Sequence, residues 1–370
     1  MGHFFRRAVL GWGLSWTMLA SAQLLVGQTA GFTGTVSAGV TETTEGAKLY
    51  IDAVNSRGGV GGQKIELISL DDKFDPKLAA ANARKLIEDN QVLTLFLNRG
   101  TPHTEAIIPL LEQYGVALIG PSTGAMVLHQ PVQKYVFNVR ATYQREAEKA
   151  VAHLSTLGVS RIAVIHVEDS FGTDALAGAQ KGFAAAKLTP AAIEKFDRAK
   201  PSFTGLMPKV IAANPQAVLM FGSGSAVVDG IKALRDAGSS AQVVTLSNNA
   251  SAGFIKSLGT MARGVVITQV FPNERSVAYG MVREAQDLAK AKGLAEVSPA
   301  MLEGFAAAKV LVEALKRASP KPTRERVVAA LDGMKKFDIG GLEISYSPTD
   351  HTGLDFADLS IIGADGRFKR

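Results

Sequence analysis

Residues 64–88 read KIELISLDDKFDPKLAAANARKLIE. The first seven are rich in aliphatic side chains and predict a β-strand. Asp75 and Pro76 are the residue types that cap a helix and occupy its first turn, so a helix is predicted from there to Glu88. Its apolar residues recur at i, i+4, i+7 and i+8 on one face: Ala79, Ala83, Leu86 and Ile87. A strand followed by an amphipathic helix is the repeating unit of an α/β fold.

The same alternation extends along the chain in both directions. Strands are predicted at Leu24–Gln28, Lys64–Leu70, Val92–Leu97, Val116–Ile119, Arg161–Val167, Ala217–Phe221 and Gln242–Leu246. Further helices are predicted at Thr44–Arg57, Pro102–Gln113, Tyr143–Leu157, Thr173–Ala186, Val227–Ala237, Ala278–Lys292, Pro299–Ala318 and Thr323–Leu331, before strands resume near Leu342–Ile344. The pattern predicts parallel sheets covered by helices on both faces, and the length exceeds what one core usually holds, so two domains are expected.

Composition excludes several classes of function. The 370 residues contain no cysteine, which rules out disulfides, thiolate metal sites and a cysteine nucleophile. Forty Lys and Arg residues against 34 Asp and Glu make a charge balance too even for a nucleic-acid-binding face. The histidines lack the spacing of metal ligands, so no metal is expected. No cofactor is expected either.

The amino terminus has the features of an export signal. Arg6 and Arg7 precede an apolar run, Ala8–Ala20, and Ala20-Ser21-Ala22 has the pattern of a signal-peptidase site. The run is shorter than the roughly 20 residues of a membrane-spanning helix. We therefore expect a signal peptide at residues 1–22, cleavage between Ala22 and Gln23, and a periplasmic protein. A short amphipathic core helix is the alternative.

Loops that follow strands are the candidate ligand site, since ligands of open α/β sheets bind beyond the carboxyl ends of the strands. Hydroxyl groups and helix N-terminal amides in these loops are donors suited to a carboxylate or phosphate, although simple helix capping is the alternative for each loop. The candidate residues in or next to these loops are Phe32, Arg99, Thr101, Ser122, Thr123, Gly124, Phe171 and Ser223.

Two enzyme or nucleotide motifs are incomplete. Gly120-Pro121-Ser122-Thr123-Gly124 matches a nucleophile elbow, but the downstream acid and histidine, Asp350 and His351, are adjacent in sequence. Gly222-Ser223-Gly224 resembles the start of a dinucleotide motif, but Val227 stands at its third glycine position. A serine hydrolase that uses Ser122 stays as an alternative of another class.

Several motifs in order resemble the periplasmic solute-binding proteins of branched-chain amino acid importers, the soluble receptors of ABC transporters. They are Val26-Gly27-Gln28, Asn55-Ser56-Arg57-Gly58-Gly59-Val60-Gly61-Gly62, Asp71-Asp72-x-x-Asp75-Pro76, Gly115-Val116 with Pro121-Ser122, Phe171-Gly172, and Leu234-Arg235-x-Ala237-Gly238. The resemblance covers nearly the whole chain after residue 22.

The resemblance implies two Rossmann-like lobes, joined by three crossing strands, that close on a ligand about a hinge. Residues 23–140 plus 272–346 would form the first lobe and residues 141–271 plus 347–370 the second. The late helices would cover the first sheet, and a final strand at Leu354–Ile362 would join the second.

The resemblance also assigns roles in the site. A hydroxyl at Thr101, with hydroxyl and backbone groups at Ser122, Thr123 and Gly124, would bind the ligand carboxylate, and Phe171 would flank the ligand. The acid that binds an α-ammonium in amino-acid binders aligns with Asn248, so we expect a ligand without a strongly held ammonium. Arg99 is the competing partner for the carboxylate. Phe74 and Gly100 stand where some members have paired cysteines.

The predicted function is therefore that of a non-enzymatic periplasmic protein, a monomer, that captures a small carboxylate-bearing solute, an amino acid or related compound. It would deliver this solute to the permease of an ABC importer, which would be its only link to the membrane. An aromatic or other organic acid is the alternative ligand. A ligand-sensing receptor partner is a further alternative.

Overall fold

The computed structural model describes residues 23–369, so the predicted signal peptide lies outside the described residues. The strands are β1 Leu24–Ala30, β2 Ile65–Asp71, β3 Thr94–Phe96, β4 Leu118–Ile119, β5 Val136–Phe137, β6 Ile162–Val167, β7 Ala192–Phe196, β8 Ala217–Phe221, β9 Gln242–Thr245, β10 Val266–Gln269, β11 Phe337–Asp338, β12 Glu343–Ile344, β13 Asp358–Ile362 and β14 Phe368–Lys369. The helices are α1 Ser37–Ser56, α2 Pro76–Glu88, α3 Thr101–Tyr114, α4 Tyr143–Thr156, α5 Ser170–Ala186, α6 Met207–Ala212, α7 Ser225–Asp236, α8 Ala252–Leu258, α9 Gly280–Ala291, α10 Pro299–Ala318 and α11 Arg324–Asp332.

Two sheets have the same strand order, and this places their loops. The first runs β2-β1-β3-β4-β5 and is parallel throughout. The second contains β7-β6-β8-β9-β10 in the equivalent order and is extended by β13 and β14, which are antiparallel. In such doubly wound sheets the strand order reverses beside the first strand, and ligands bind in the crevice at that point. The α/β fold predicted from the sequence is confirmed.

The late helices cover the first sheet, as the resemblance implied. Helix α10 packs closely along α1, and two glycines make this approach possible. A Cβ on Gly46 would lie 1.9 Å from the carbonyl oxygen of Met301, and one on Gly304 would lie 1.7 Å from that of Thr43. Any larger residue at either position would push the helices apart. Among residues 23–369, none of the helices combines the length and the hydropathy that a membrane span requires.

The segment that precedes β13 packs against the first sheet. His351 stacks on Phe137 with ring centroids 4.0 Å apart, and the Leu354 N–H donates to the Val139 carbonyl over 3.1 Å. The strand predicted at Leu354–Ile362 begins only at Asp358, after this packing ends. The division of the chain between the lobes, with its predicted boundary after residue 346, stays a prediction.

Several helices and strands differ from the predictions because their sequences show little hydrophobic periodicity. Helix α1 begins at Ser37 and not at the predicted Thr44. The sequence did not reveal its first turns, because their residues are mostly small and polar and show little apolar periodicity. Strand β7 was missed because it is an edge strand whose residues alternate between partly buried and exposed. Helices α6 and α8 are too short to show a period.

The acidic turn between β2 and α2 works as predicted at Asp75, whose side chain accepts the N–H groups of Lys77 and Leu78. Asp72 has a different role. Its side chain is fully buried and accepts hydrogen bonds from the Phe74 N–H at 2.9 Å and the Thr29 hydroxyl at 3.1 Å. Burial raises the pKa of Asp72 from 3.8 to about 6, although both hydrogen bonds oppose the shift.

Asp72→Asn should change how stability depends on pH. The folded chain keeps a proton on Asp72 up to about pH 6, whereas the unfolded chain releases it near 3.8. The contribution of Asp72 to the free energy of unfolding should therefore fall by about 3 kcal/mol as the pH rises from below 3.8 to above about 6. Chemical denaturation across the window should show a weaker fall for Asp72→Asn, and an unchanged slope would contradict the assignment.

Candidate functional site

The loops at the carboxyl ends of the two sheets meet across a closed cleft. The Ser225 N–H donates to the Thr35 carbonyl over 3.1 Å, and the Ala300 N–H donates to the Ala250 carbonyl over 3.1 Å. Gly224 is needed at the first contact, because a Cβ there would lie 1.8 Å from the Thr35 oxygen. These bonds join elements of one sheet to elements of the other.

Side chains reinforce the closed arrangement. The carboxylate of Glu42, on α1, accepts the N–H groups of Ala252 and Gly253 at the start of α8 over 2.9 and 2.8 Å. On another part of the cleft, the Ser170 hydroxyl donates to Glu105 over 2.5 Å. Contacts from α1 and α3 to α8 and α5 thus hold the cleft shut.

A cavity of about 160 Å³ lies between these loops. Arg99 is the only charged residue among those that line it, and no acid is present among them. The lining residues are Gly34, Thr35, Val36, Ser37, Ala38, Gly39, Arg99, Gly224, Ser225, Val228, Asn248, Asn249, Ser251, Phe254 and Ser257. The cavity is therefore suited to an anion.

A second cavity between the lobes, of about 370 Å³, has the opposite character. Glu42, Glu45, Glu274 and Glu296 are among its lining residues. Arg275 and Arg367 also line it, but Arg367 pairs with Glu296. The excess of carboxylates would repel an anionic ligand, so the smaller cavity is the better candidate.

Arg99 spans the cleft from the loop after β3. One guanidinium nitrogen, Nη1, donates to the Ser122 hydroxyl over 3.0 Å, and Nη2 donates to the backbone carbonyl of Asn248 over 2.6 Å. The residue is only 4% exposed. Within residues 23–369 it forms no ion pair, and both of its acceptors are neutral. A buried guanidinium with neutral partners is an uncompensated positive charge.

Thr101 and Thr123 lie beside Arg99, and their hydroxyl groups hydrogen-bond each other over 2.7 Å. Both residues are buried, and neither lines the cavity. Gly124 packs closely against the backbone of Ala141. A Cβ at this position would lie 2.5 Å from the Ala141 carbonyl oxygen, so the glycine is explained by packing. The structure brings these predicted residues together with Arg99 and Ser122.

Asn248 follows β9 and lines the cavity from the second lobe. Its Nδ2 donates to the Gly222 carbonyl over 2.9 Å and to the Ser223 hydroxyl over 3.0 Å. Its Oδ1 is buried and has no hydrogen-bond partner among the described residues. Ser223 therefore holds the side chain of Asn248 by this hydrogen bond and does not itself line the cavity.

Two predicted aromatic residues lie away from the cavity. Phe171 packs on Tyr143 in the core of the second lobe, with ring centroids 4.7 Å apart, and is 3% exposed. Phe32 packs in a small cluster with Ala30, Val36 and other residues of the first lobe. Neither lines the cavity, so their assignment as ligand-binding residues has no support in this closed arrangement.

Arg140 is a buried residue that sequence reasoning did not select. Its guanidinium pairs with Glu146, donates to the Ser247 hydroxyl over 2.7 Å, and lies 3.6 Å from a carboxylate oxygen of Glu303. Glu146 also accepts hydrogen bonds from the Ser247 N–H and the Thr268 hydroxyl. Burial alone would lower the pKa of Arg140, but the two carboxylates raise it above its ordinary value.

This group of charges, which we call the hinge cluster, consists of Arg140, Glu146 and Glu303. It holds Ser247 through both its backbone and its hydroxyl and so positions the neighbouring Asn248. The only sequence signal was the position of Arg140 at the predicted boundary between residues 23–140 and the second lobe.

The two positions where the resemblance places paired cysteines are in contact. A Cβ on Gly100 would lie 3.0 Å from the Phe74 ring. That ring stacks on His103 at 4.4 Å, and the guanidinium of Arg198 from the second lobe lies 4.8 Å from its centroid. Phe74 therefore contacts residues of both lobes at this point.

The hydrolase alternative lacks a catalytic base. The Ser122 hydroxyl accepts from Arg99, and no histidine of the described chain hydrogen-bonds it. His351 instead pairs with Asp332 over 2.9 Å and contacts the Val136 carbonyl over 3.0 Å. Asp350, its sequence neighbour, is a turn residue that accepts the Thr352 N–H.

The sequence was compared with protein families and with known proteins, and both comparisons found relatives. The model of the periplasmic binding protein family matches residues 23–357. A Leu/Ile/Val-binding protein homolog of Brucella melitensis is 24% identical over 336 residues, 89% of each chain.

Solved structures agree with the sequence comparison. A substrate-binding periplasmic protein of Ralstonia solanacearum superposes with a TM-score of 0.86 and 30% identity, over 94% of this chain and 99% of that one. A branched-chain amino acid ABC transporter protein of Thermus thermophilus with bound valine has a TM-score of 0.83 at 19% identity, over 95% and 96% of the two chains. The second likeness is one of fold alone.

Proposed function

Because the chain belongs to the periplasmic binding protein family, in its leucine, isoleucine and valine-binding type, we propose that it captures a small carboxylate-bearing solute for an ABC importer. The family consists of solute-binding proteins, and the chain is a binding protein and not an enzyme. The solute would enter between the open lobes and be enclosed when they close. Delivery to the permease would follow in the periplasm, after removal of residues 1–22.

The uncompensated charge of Arg99 is the observation that supports a carboxylate. Burying a guanidinium without an anion is costly, whereas a bound carboxylate would supply the missing charge and accept two hydrogen bonds in the planar geometry that arginine favours. Arg99 lines the cavity and contacts both lobes, so such a ligand would also strengthen the closed arrangement.

This proposal changes the roles predicted for the hydroxyl groups. Thr101 and Thr123 satisfy each other, and Ser122 fixes the guanidinium, so the charge of Arg99 becomes the main attraction for the carboxylate. The relatives named for leucine, isoleucine and valine suggest an amino acid. The lining of this cavity holds no acid for an ammonium group, which favours another carboxylate.

A thermal-shift screen followed by small-angle scattering tests the proposed capture. A carboxylate that the screen identifies should stabilise the protein by about 2.7 kcal/mol at 100 times its dissociation constant. At that concentration the radius of gyration should decrease, since closure excludes solvent from the cleft. A screen in which neutral or cationic solutes stabilise the protein and carboxylates do not would refute the proposal.

A further inference from the structure

The orientation of the Asn248 amide is settled by its surroundings. A backbone carbonyl can only accept, so the atom of Asn248 that faces the Gly222 carbonyl must be the Nδ2 donor. The Ser223 hydroxyl accepts from the same nitrogen. Oδ1 is thereby committed as an acceptor, and it is buried without a partner. A buried acceptor left unpaired is costly, and because Asn248 lines the cavity, a donor on a ligand bound there would relieve that cost.

Charge decides which donor fits. A ligand hydroxyl, a neutral N–H or an ammonium could each donate to Oδ1. An ammonium would bring a second positive charge into a cavity that already contains Arg99 and has no acid in its lining. A neutral amide oxygen cannot offset that charge once water leaves the cleft. The hydroxyl is the simplest neutral donor.

Nearby acids are already engaged elsewhere. Asp169 and Glu168, which could have supplied a charge from the loop after β6, pair with Arg198 and Lys195. Four further acids contact groups at the cleft: Glu42 accepts the N–H groups of α8, Glu105 accepts the Ser170 hydroxyl, and Glu146 and Glu303 face Arg140. Glu45, Glu274 and Glu296 line the second cavity. None of them lines the cavity that contains Arg99 and Asn248.

The cavity also limits the size of the ligand. At about 160 Å³ it is similar to a cavity of roughly 150 Å³ that takes up benzene, so the ligand has a small carbon skeleton. Resting on the proposed function, we infer that the solute is a small hydroxy acid, whose carboxylate binds Arg99 and whose hydroxyl donates to Asn248 Oδ1.

Calorimetry with three probes that share one skeleton tests the inference: 2-hydroxy-3-methylbutanoate, 3-methylbutanoate and valine. The hydroxy acid should bind about 3–10-fold more tightly than the deoxy acid, because only the hydroxy acid of these two offers a donor to Oδ1. It should bind at least about tenfold more tightly than valine, which adds an unpaired ammonium. Equal affinity for the two acids, or tighter binding of valine, would overturn the inference.

Asn248→Ala completes the test, because the deoxy acid reports any general damage to the loop. In this variant the advantage of the hydroxy acid over the deoxy acid should disappear, whatever happens to the affinity of both. Asn90→Ala, outside the cavity lining, should keep the advantage. Persistence of the advantage in Asn248→Ala would also overturn the inference. If none of the three probes binds the wild-type chain, this inference fails, whereas the proposed function fails only if the wider carboxylate screen is also negative.

Discussion

Arg99→Met should weaken binding of the carboxylate solute by about 2–5 kcal/mol, which is roughly thirtyfold to several thousandfold. Methionine keeps much of the length and apolar stem but removes the charge and every donor. Arg99→Lys should lie between the two, because lysine keeps the charge without the planar pair of donors. Isothermal calorimetry gives the dissociation constants directly.

The unliganded protein provides an independent readout of the same substitution. Because the unliganded lobes are proposed to be open, Arg99 there loses its bond across the cleft to Asn248 and faces solvent, so its removal should change the free energy of unfolding by no more than about 0.5 kcal/mol. Arg84→Met, which removes an exposed arginine paired with Glu88 on α2, is the matched control and should leave binding unchanged. If Arg99→Met binds the carboxylate as tightly as wild type, Arg99 is not the counter-ion.

Glu146→Ala should lower the free energy of unfolding by about 3–5 kcal/mol. Glu146 is fully buried and pairs with Arg140, which is 1% exposed, so its loss leaves a buried guanidinium with only the more distant Glu303. The Ser247 N–H and the Thr268 hydroxyl lose their acceptor at the same time. Urea denaturation followed by circular dichroism measures the change.

Glu168→Ala is the control for this second substitution. Its carboxylate pairs with Lys195 at an exposed site, where ion pairs contribute less than about 1 kcal/mol. Its effect should therefore be small. A similarly small effect of Glu146→Ala would mean that the hinge cluster contributes little, and Ser247 would then need another explanation for its position.

The fold could be predicted from the sequence where local signals and tertiary packing agree. Helix α10 and strand β8 coincide with their predicted bounds, because both are strongly apolar and end at clear breaks. Helix α2 begins at Pro76 because Asp75 caps it. Strand β10 was not predicted from the sequence, and its pairing with β9 and β13 in the sheet defines it.

The site was predictable only in part. Loop position selected Arg99, and alignment to a family motif selected Asn248, and both line the cavity. That the Thr101 and Thr123 hydroxyls would bond each other depends on two loops meeting at a specific distance, which no local pattern encodes. The link between Arg140 and Glu303 joins residues far apart in sequence and could be seen only in three dimensions.

The closed cleft is held partly by main-chain groups, namely the bonds from Ser225 to Thr35 and from Ala300 to Ala250. Most amino-acid substitutions keep the backbone N–H and carbonyl groups that form these bonds. A single substitution, in contrast, replaces a cavity side chain such as Asn248. Mutations that alter which solute is captured can therefore accumulate without altering the closed surface that a permease would meet. Substitutions in the cavity could thus change the solute and leave the surface that would face the proposed permease unchanged.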